Sequence, residues 1–101
     1  MEQKEAIKTI TVLGRKWWDK VNGNTYNTAR VMVNGVTVGK TEFQYGYGDF
    51  YVQAAAEWLE KNGYITRKHY DNGGSEALWT YCSDHNIHLE YSSAYYLKRE
   101  L

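Results

Sequence analysis

The first half of the chain alternates between apolar and polar residues with the period of β-strands. Residues 6–13 are rich in β-branched types and predict a first strand that continues into the tryptophan pair beyond it. A polar turn at 19–24 leads to a second predicted strand at 25–33, and a third follows at 36–43. This order predicts a three-stranded antiparallel meander.

The turn between the second and third strands is Asn34-Gly35. It is a strong hairpin signal because a type I′ turn needs positive φ at both central residues. A two-residue turn also fixes the register, and on one face it puts Tyr26 across from Phe43. On the other face it collects four valines, in the pairs Val33 with Val36 and Val31 with Val38.

A helix is predicted after the meander. Asp49 is a good N-cap, apolar residues recur at helical spacing to about Lys61, and Asn62-Gly63 supplies a left-handed stop. The apolar side of this helix is expected to cover the sheet.

Three shorter elements are predicted in the last third of the chain. Residues 64–68 read as a short strand, and Ser75 as the N-cap of a second helix over 76–85. Alternation from Ile87 predicts a final strand that extends to Leu97. The predicted fold class is therefore α+β, of order βββα(β)αβ, with the helices packed on one face of the sheet.

A chain of 101 residues supports one core, so residues 1–101 are predicted to form a single domain. Aromatic residues make up 16% of the chain, with ten tyrosines and four tryptophans. A core of this size does not need so many rings, and Tyr and Trp are enriched at binding surfaces. Some of these rings are expected on the outside, available to a partner.

Charge and cysteine content narrow the classes of function. Twelve basic and twelve acidic residues give a formal net charge of zero, which removes the simplest electrostatic argument for nucleic acid or an anionic membrane. The single Cys82 cannot form an internal disulfide, and the N-terminus lacks the apolar segment of a secretory signal. A cytoplasmic location, no membrane insertion and no cofactor are predicted.

Trp17 and Trp18 are adjacent on a predicted strand, so their side chains point to opposite faces. One is expected in the core. Three positions are open for the other tryptophan. It forms a small exposed aromatic-basic platform with Arg15, Lys16 and Lys20, it is covered by the terminal segments, or it lies flat under the side chains of its neighbours. Such platforms stack single-stranded bases, at about 1–3 kcal/mol per base, and also serve as hot spots in protein interfaces.

Cys82, His85 and His88 form a C-x2-H-x2-H pattern with ligand types that zinc accepts. Cys82 and His85 are one turn apart on the inner stripe of the second predicted helix, where a thiol and a helix-terminal imidazole pack well without metal. His88 falls beyond that helix. The pattern favours packing over a metal site, and a Cys–His nucleophile pair here lacks an identifiable orienting group.

Residues 15–26 read Arg-Lys-Trp-Trp-Asp-Lys-Val-Asn-Gly-Asn-Thr-Tyr, and residues 45–48 read Tyr-Gly-Tyr-Gly. An aromatic-Asp-Lys-x-Asn-Gly-Asn-Thr-Tyr segment with such a loop resembles small uncharacterised proteins of tailed bacteriophages and prophages. The resemblance covers about the first sixty residues. It implies a gene of a mobile element, whose small proteins often bind a host protein, sometimes one of a defence system, and it carries over no residue role.

These observations predict a non-catalytic interaction domain, a phage or prophage accessory protein that binds a host protein in the host cytoplasm, with inhibition of that protein as one outcome. An exposed edge strand also leaves a homodimer open. The predicted partner-binding residues are Trp17, Trp18, Tyr26, Tyr45 and Tyr47.

Two alternatives from other classes accompany this prediction. A single-stranded nucleic-acid-binding protein would use the aromatic-basic platform, namely Arg15, Lys16, Trp18 and Lys20. A small metal- or thiol-dependent enzyme, the weaker alternative, would use Cys82, His85 and His88.

Overall fold

The computed structural model describes residues 6–46 and 48–101, which contain five strands in one sheet and two helices. The strands are β1 (Thr9–Asp19), β2 (Asn24–Val33), β3 (Val36–Lys40), β4 (Gln44–Tyr45) and β5 (His88–Tyr95). The helices are α1 (Phe50–Lys61) and α2 (Leu78–Asp84), and a short 3-10 turn spans Lys98–Glu100.

The strand order is β3-β2-β1-β5, with β4 also paired to β2. β1 and β2 are antiparallel, as are β2 and β3, whereas β5 runs parallel to β1 along the other side of it. The predicted α+β class and antiparallel meander are confirmed. β4 and β5 run in the same direction, and the connection between them is a crossover that contains both helices.

Both helices lie against one side of the sheet, which we call the core face; the other side is the open face. Alternation puts Ile10, Val12 and Gly14 of β1 on the core face, and Ile10 and Val12 are fully buried. From α1, Tyr51 and Leu59 pack into the same cluster. Thr11, Leu13, Arg15 and Trp17 of β1 therefore lie on the open face.

The predicted boundaries of α1 are confirmed. Asp49 is the N-cap residue, although its carboxylate makes no capping hydrogen bond. At the other end Gly63 has a φ of +83°, and the Tyr64 N–H donates to the Leu59 carbonyl over 2.8 Å. This is the closing bond of a Schellman motif, which requires a left-handed residue such as glycine.

The predicted hairpin register is right for Val33 with Val36 and for Met32 with Thr37, and it is wrong beyond them. Val33 pairs with Val36, but Val31 pairs with Gly39 instead of Val38, because a bulge intervenes. The Trp58 ring of α1 lies on Gly39, where an added Cβ would stand 2.0 Å from the ring. The bulge brings the one residue without a side chain under this ring.

The segment before α2 differs from its prediction. Residues 64–68 form no strand. The side chains of Ile65 and Arg67 are buried, but the backbone of this segment does not pair with the sheet. Ser75 does not cap the helix; it forms an isolated bridge with His69, and α2 begins at Leu78. Within the described residues, no helix has the length and apolar character needed to cross a membrane.

Candidate functional site

The open face carries four aromatic side chains, three of which contact the central Tyr26; we call this group the aromatic row. Trp17 stacks on Tyr26 with ring centroids 5.7 Å apart, and Tyr26 stacks on Phe43 at 5.1 Å with an interplanar angle of 14°. Tyr45 meets the edge of Tyr26 at 5.9 Å. The row therefore crosses three neighbouring segments of the chain.

Strand pairing explains how the row is assembled. Trp17 and Tyr26 are direct partners in the β1–β2 ladder, and Tyr26 and Tyr45 are partners in the β2–β4 ladder. Phe43 lies in the loop between β3 and β4, where its ring contacts Tyr26 as expected. The predicted strand pairing of Tyr26 with Phe43 is wrong, because the ladder partner of Tyr26 is Tyr45. Phe43 is 45% exposed and Tyr45 is 56% exposed, so the row offers apolar surface to a partner.

Positive charges flank the aromatic row. The Arg15 guanidinium lies 4.7 Å from the Tyr96 ring and donates to the Glu100 carbonyl oxygen over 2.8 Å. The Lys98 ammonium lies 5.2 Å from the centre of the Trp17 ring. The C-terminal turn thus covers one end of the row and leaves the Phe43 end exposed.

Arg30 lies on the same face as Arg15. Burial, and then the positive charge of Arg15, lower the pKa of Arg30. Within residues 6–46 and 48–101 neither guanidinium forms a salt bridge with a carboxylate. An anionic group supplied from outside would relieve this repulsion.

The predicted aromatic-basic platform is split between the two faces. Arg15 is on the open face, whereas Lys16 and Trp18 are on the core face and Lys20 lies in the exposed turn after β1. The Lys16 ammonium points toward the ring of Tyr51, 5.6 Å from its centre. These four residues therefore do not form one base-stacking surface.

The expectation that one of the two tryptophans lies in the core is wrong. Trp18 is 51% exposed and Trp17 is half-buried on the open face. Tyr51, in the first turn of α1, packs over Gly14, so the hairpin end extends beyond the helix. Trp17, Trp18 and Lys20 instead border a shallow groove of about 620 Å³ that Tyr95, Tyr96 and Leu97 close on the other side.

Of the five predicted partner-binding residues, the structure brings together Trp17, Tyr26 and Tyr45. Trp18 lies on the opposite face, and Tyr47 lies outside the described residues. Phe43 was missed as a site residue, although its expected position across from Tyr26 was the available signal.

The Asp-Lys-x-Asn-Gly part of residues 15–26 forms the turn between β1 and β2. The Asp19 carboxylate accepts hydrogen bonds from the Val21 N–H at 3.1 Å, the Asn22 N–H at 3.3 Å and the Asn22 side-chain amide at 2.9 Å. Gly23 follows with a φ of +69°. The Asp-Lys-x-Asn-Gly pattern is therefore explained by backbone requirements of the β1–β2 turn.

Cys82, His85 and His88 do not converge. Cys82 is buried in the core, the His85 ring N–H donates to the Tyr81 carbonyl over 2.9 Å, and His88 contacts Glu90 at 3.2 Å. Within the described part of the chain, no group of three or more His, Cys, Asp or Glu side chains could hold a metal ion.

A hydrogen-bonded series that the sequence did not indicate links α1 to the loop before α2. Glu60 contacts His69 Nε2 at 2.7 Å, and His69 Nδ1 contacts the Ser75 hydroxyl at 2.9 Å. Arg67 donates to the other Glu60 oxygen over 3.1 Å. Serine, histidine and a carboxylate also occur in series in hydrolases, but there the site is shielded from water. The His69 side chain is 55% exposed, so we interpret the series as a lock on the loop.

We expect the protein to lose stability as the pH falls below about 4.5. The bond to His69 lowers the pKa of Glu60 from 4.5, and the Asn22 side-chain bond lowers that of Asp19 from 3.8. A carboxyl group with a depressed pKa in the folded state stabilises the fold above its unfolded pKa, and this contribution is lost as the pH falls through the folded pKa. Urea unfolding midpoints measured from pH 6 down to about pH 3 should therefore decline.

The substitution Glu60→Gln isolates one of these two contributions. The variant should show a shallower decline in the urea midpoint over the same pH range, because only the Asp19 part remains. An unchanged decline would contradict the assigned role of Glu60.

No protein-family model, curated protein or solved structure matches this chain.

Proposed function

We propose that this protein is a non-catalytic interaction domain that binds another protein through the aromatic row. The observation that carries the proposal is a row of contacting rings on the open face, flanked by two arginines that have no carboxylate partner among residues 6–46 and 48–101. Aromatic and arginine side chains are the types most enriched among binding hot spots.

The stacking of the rings favours a protein partner over single-stranded bases. Base stacking needs a free aromatic face. In the row, Tyr26 has Trp17 on one side and Phe43 on the other, and Lys98 covers part of Trp17. What remains is the exposed surface of Phe43 and Tyr45, together with ring edges, which suits apolar side chains.

The surroundings of the row indicate the chemistry of the partner surface. Its centre would be apolar, to cover Phe43 and Tyr45. Beside that centre an aspartate or glutamate would face Arg15 and Arg30, whose like charges are near each other. A charge-assisted pair there would fix the orientation of the complex.

A separate part of the proposal is that the gene belongs to a phage or prophage and that the partner is a host protein. The resemblance of residues 15–26 and 45–48 to phage and prophage proteins supports an accessory protein that acts on a host protein, such as a component of a defence system. The hydrogen bonds of Asp19 account for the Asp-Lys-x-Asn-Gly part of that resemblance by the geometry of the turn.

The experiment is an affinity purification of the tagged protein from a bacterial lysate, with and without nuclease treatment, followed by binding measurements with the purified partner. The double substitution Phe43→Ala with Tyr45→Ala should weaken binding at least about 30-fold, the effect of losing one hot spot. The matched control is Tyr70→Ala, which removes a tyrosine that is 51% exposed in the loop before α2. This control should bind normally.

Two outcomes would contradict the proposal. Equal binding by the double variant and by the control would exclude the aromatic row. Co-purifying nucleic acid whose affinity falls steeply with salt would favour the nucleic-acid alternative, because binding to phosphates releases counterions.

A further inference from the structure

We propose that two copies of this protein associate through the outer edge of β5, antiparallel to each other, and so join their sheets into one. This inference does not rest on the partner proposed for the aromatic row, although Arg15 takes part in both. It rests on the backbone groups of β5, on the contrast between the two edges of the sheet and on the side chains that the pairing brings together.

Four residues of β5 present unpaired backbone groups at the outer edge. The N–H groups of His88 and Tyr96 donate to the carbonyls of Lys8 and Lys16, over 2.9 and 2.7 Å. Because the backbone groups of a strand alternate in direction, even-numbered residues face β1 and odd-numbered residues face away. In the described chain β1 is the strand paired with β5, so the outward groups have no ladder partner; they belong to Leu89, Tyr91, Ser93 and Tyr95.

The opposite edge of the sheet is protected, whereas β5 is not. β3 has five residues and a bulge, and β4 has two residues. β5 has eight residues, pairs with β1 without a register shift, and contains neither proline nor lysine. Bulges, short strands, proline and lysine are the usual means by which edges avoid pairing. The edge of β5 is therefore built to accept another strand.

The direction of the backbone groups selects one register. In an antiparallel pair, residues that exchange hydrogen bonds must both point toward the shared edge. All four outward residues find such partners only when the two-fold axis passes through Ser92. Leu89 then pairs with Tyr95 of the second copy and Tyr91 with Ser93, which gives about eight hydrogen bonds, two for each of four pairs.

The side chains in this register are complementary. On the core face, Leu89 meets Tyr95 of the second copy, whose ring is 67% exposed in the single chain. On the open face, Glu90 of the second copy lies opposite Ala94 of β5, and Ala94 pairs with Arg15 of β1. Two strand spacings of about 4.8 Å separate the Arg15 and Glu90 backbones, with the Ala94 methyl group between them. The two side chains can therefore meet above Ala94, twice in the dimer. In the single chain Arg15 contacts Tyr96 and the Glu100 carbonyl, and Glu90 contacts His88, so a pair across the interface would compete with these exposed contacts.

This symmetry has a consequence for binding. The two-fold axis is perpendicular to the joined sheet, so both open faces lie on the same side. The dimer would present two aromatic rows to one side and could bind a multimeric partner more tightly than a single copy does.

Sedimentation velocity of the full chain, over about 5 to 500 µM, tests the association by mass action. We expect the mass to rise from 11.8 kDa toward twice that value with concentration. A mass that stays at 11.8 kDa over this range would overturn the proposal. This would also be the result if the edge of β5 pairs with a strand of another protein and not with a second copy.

Two variants identify the surface. Ser93→Pro removes an outward N–H that the β1 ladder does not use, and Glu90→Arg changes a side chain that is 69% exposed. Each should shift the dissociation constant upward at least about tenfold. Adding Arg15→Glu to Glu90→Arg should restore association, because the charges are exchanged. A dimer that both single variants leave unchanged would overturn the proposal, as would a double variant without recovery.

Discussion

Alanine at Gly14 should lower the free energy of unfolding by about 3 kcal/mol, at the upper end of the range for overpacking. An added Cβ would stand 2.5 Å from Cδ2 and 2.7 Å from Cγ of Tyr51. The Tyr51 ring cannot swing outward, because it is 3% exposed and also packs against the edge of Tyr91. Thermal unfolding should show a midpoint about 12–24 °C lower for a domain of this size.

The matched control for this substitution is Gly35→Ala. Gly35 has a φ of +82° and no heavy atom within 4 Å of an added Cβ, so its substitution costs backbone strain alone, about 1 kcal/mol. Equal losses at the two positions would mean that α1 gives way at Gly14. The close approach of Tyr51 to the sheet would then not be a fixed feature of the fold.

Elements set by local chemistry could be predicted from the sequence. The Asn34-Gly35 turn has positive φ at both residues, with Asn34 at +52° and Gly35 at +82°, and these residues alone determine the hairpin. The helix α1 begins and ends where its N-cap residue and its glycine stop indicate. Asn86 likewise ends α2 with a φ of +60°, as its side chain type predicts.

Features that depend on distant contacts could not be predicted. The bulge in β3 arises because Trp58, nineteen positions after Gly39, needs a flat surface beneath its ring. Ser75 is a good helix cap by type, but its hydroxyl is instead engaged by His69. In each case a side chain from another element overrides the local preference.

The candidate site was predictable where it depends on strand alternation and not where it depends on distant contacts. Alternation correctly puts Trp17 and Trp18 on opposite faces. The expected contact of Tyr26 with Phe43 forms, but through the loop after β3, since the strand partner of Tyr26 is Tyr45. The sequence does not show that β1 and β2 extend beyond α1. It therefore predicts a buried tryptophan, whereas the core ends at Tyr51 and both tryptophans lie beyond it. Whether a strand residue is covered depends on where the helix begins above it, which is a property of the whole fold.

Cys82 in the folded protein should react with a disulfide reagent at pH 8 at least about 100-fold more slowly than in the unfolded chain. Burial raises the pKa of the thiol from 9.0 to about 11, which lowers the fraction of reactive thiolate about 100-fold at this pH. The side chain is also only 1% exposed, so the reagent cannot reach the sulfur without local opening.

A second variant separates the effect of burial from that of the helix. Cys82→Ala with Ser83→Cys moves the thiol one position along α2, to an exposed site, and should react at the rate of an unstructured thiol. If native Cys82 reacted as fast as this variant, the thiol would be an accessible nucleophile beside the stacked rings of Tyr81 and His85. That outcome would contradict the proposal of a non-catalytic domain, because a nucleophile must be both ionised and reachable. A slow reaction would mean that Cys82 acts as a core side chain, whose role is packing. The exposed rings of the open face are then the side chains that contact a partner.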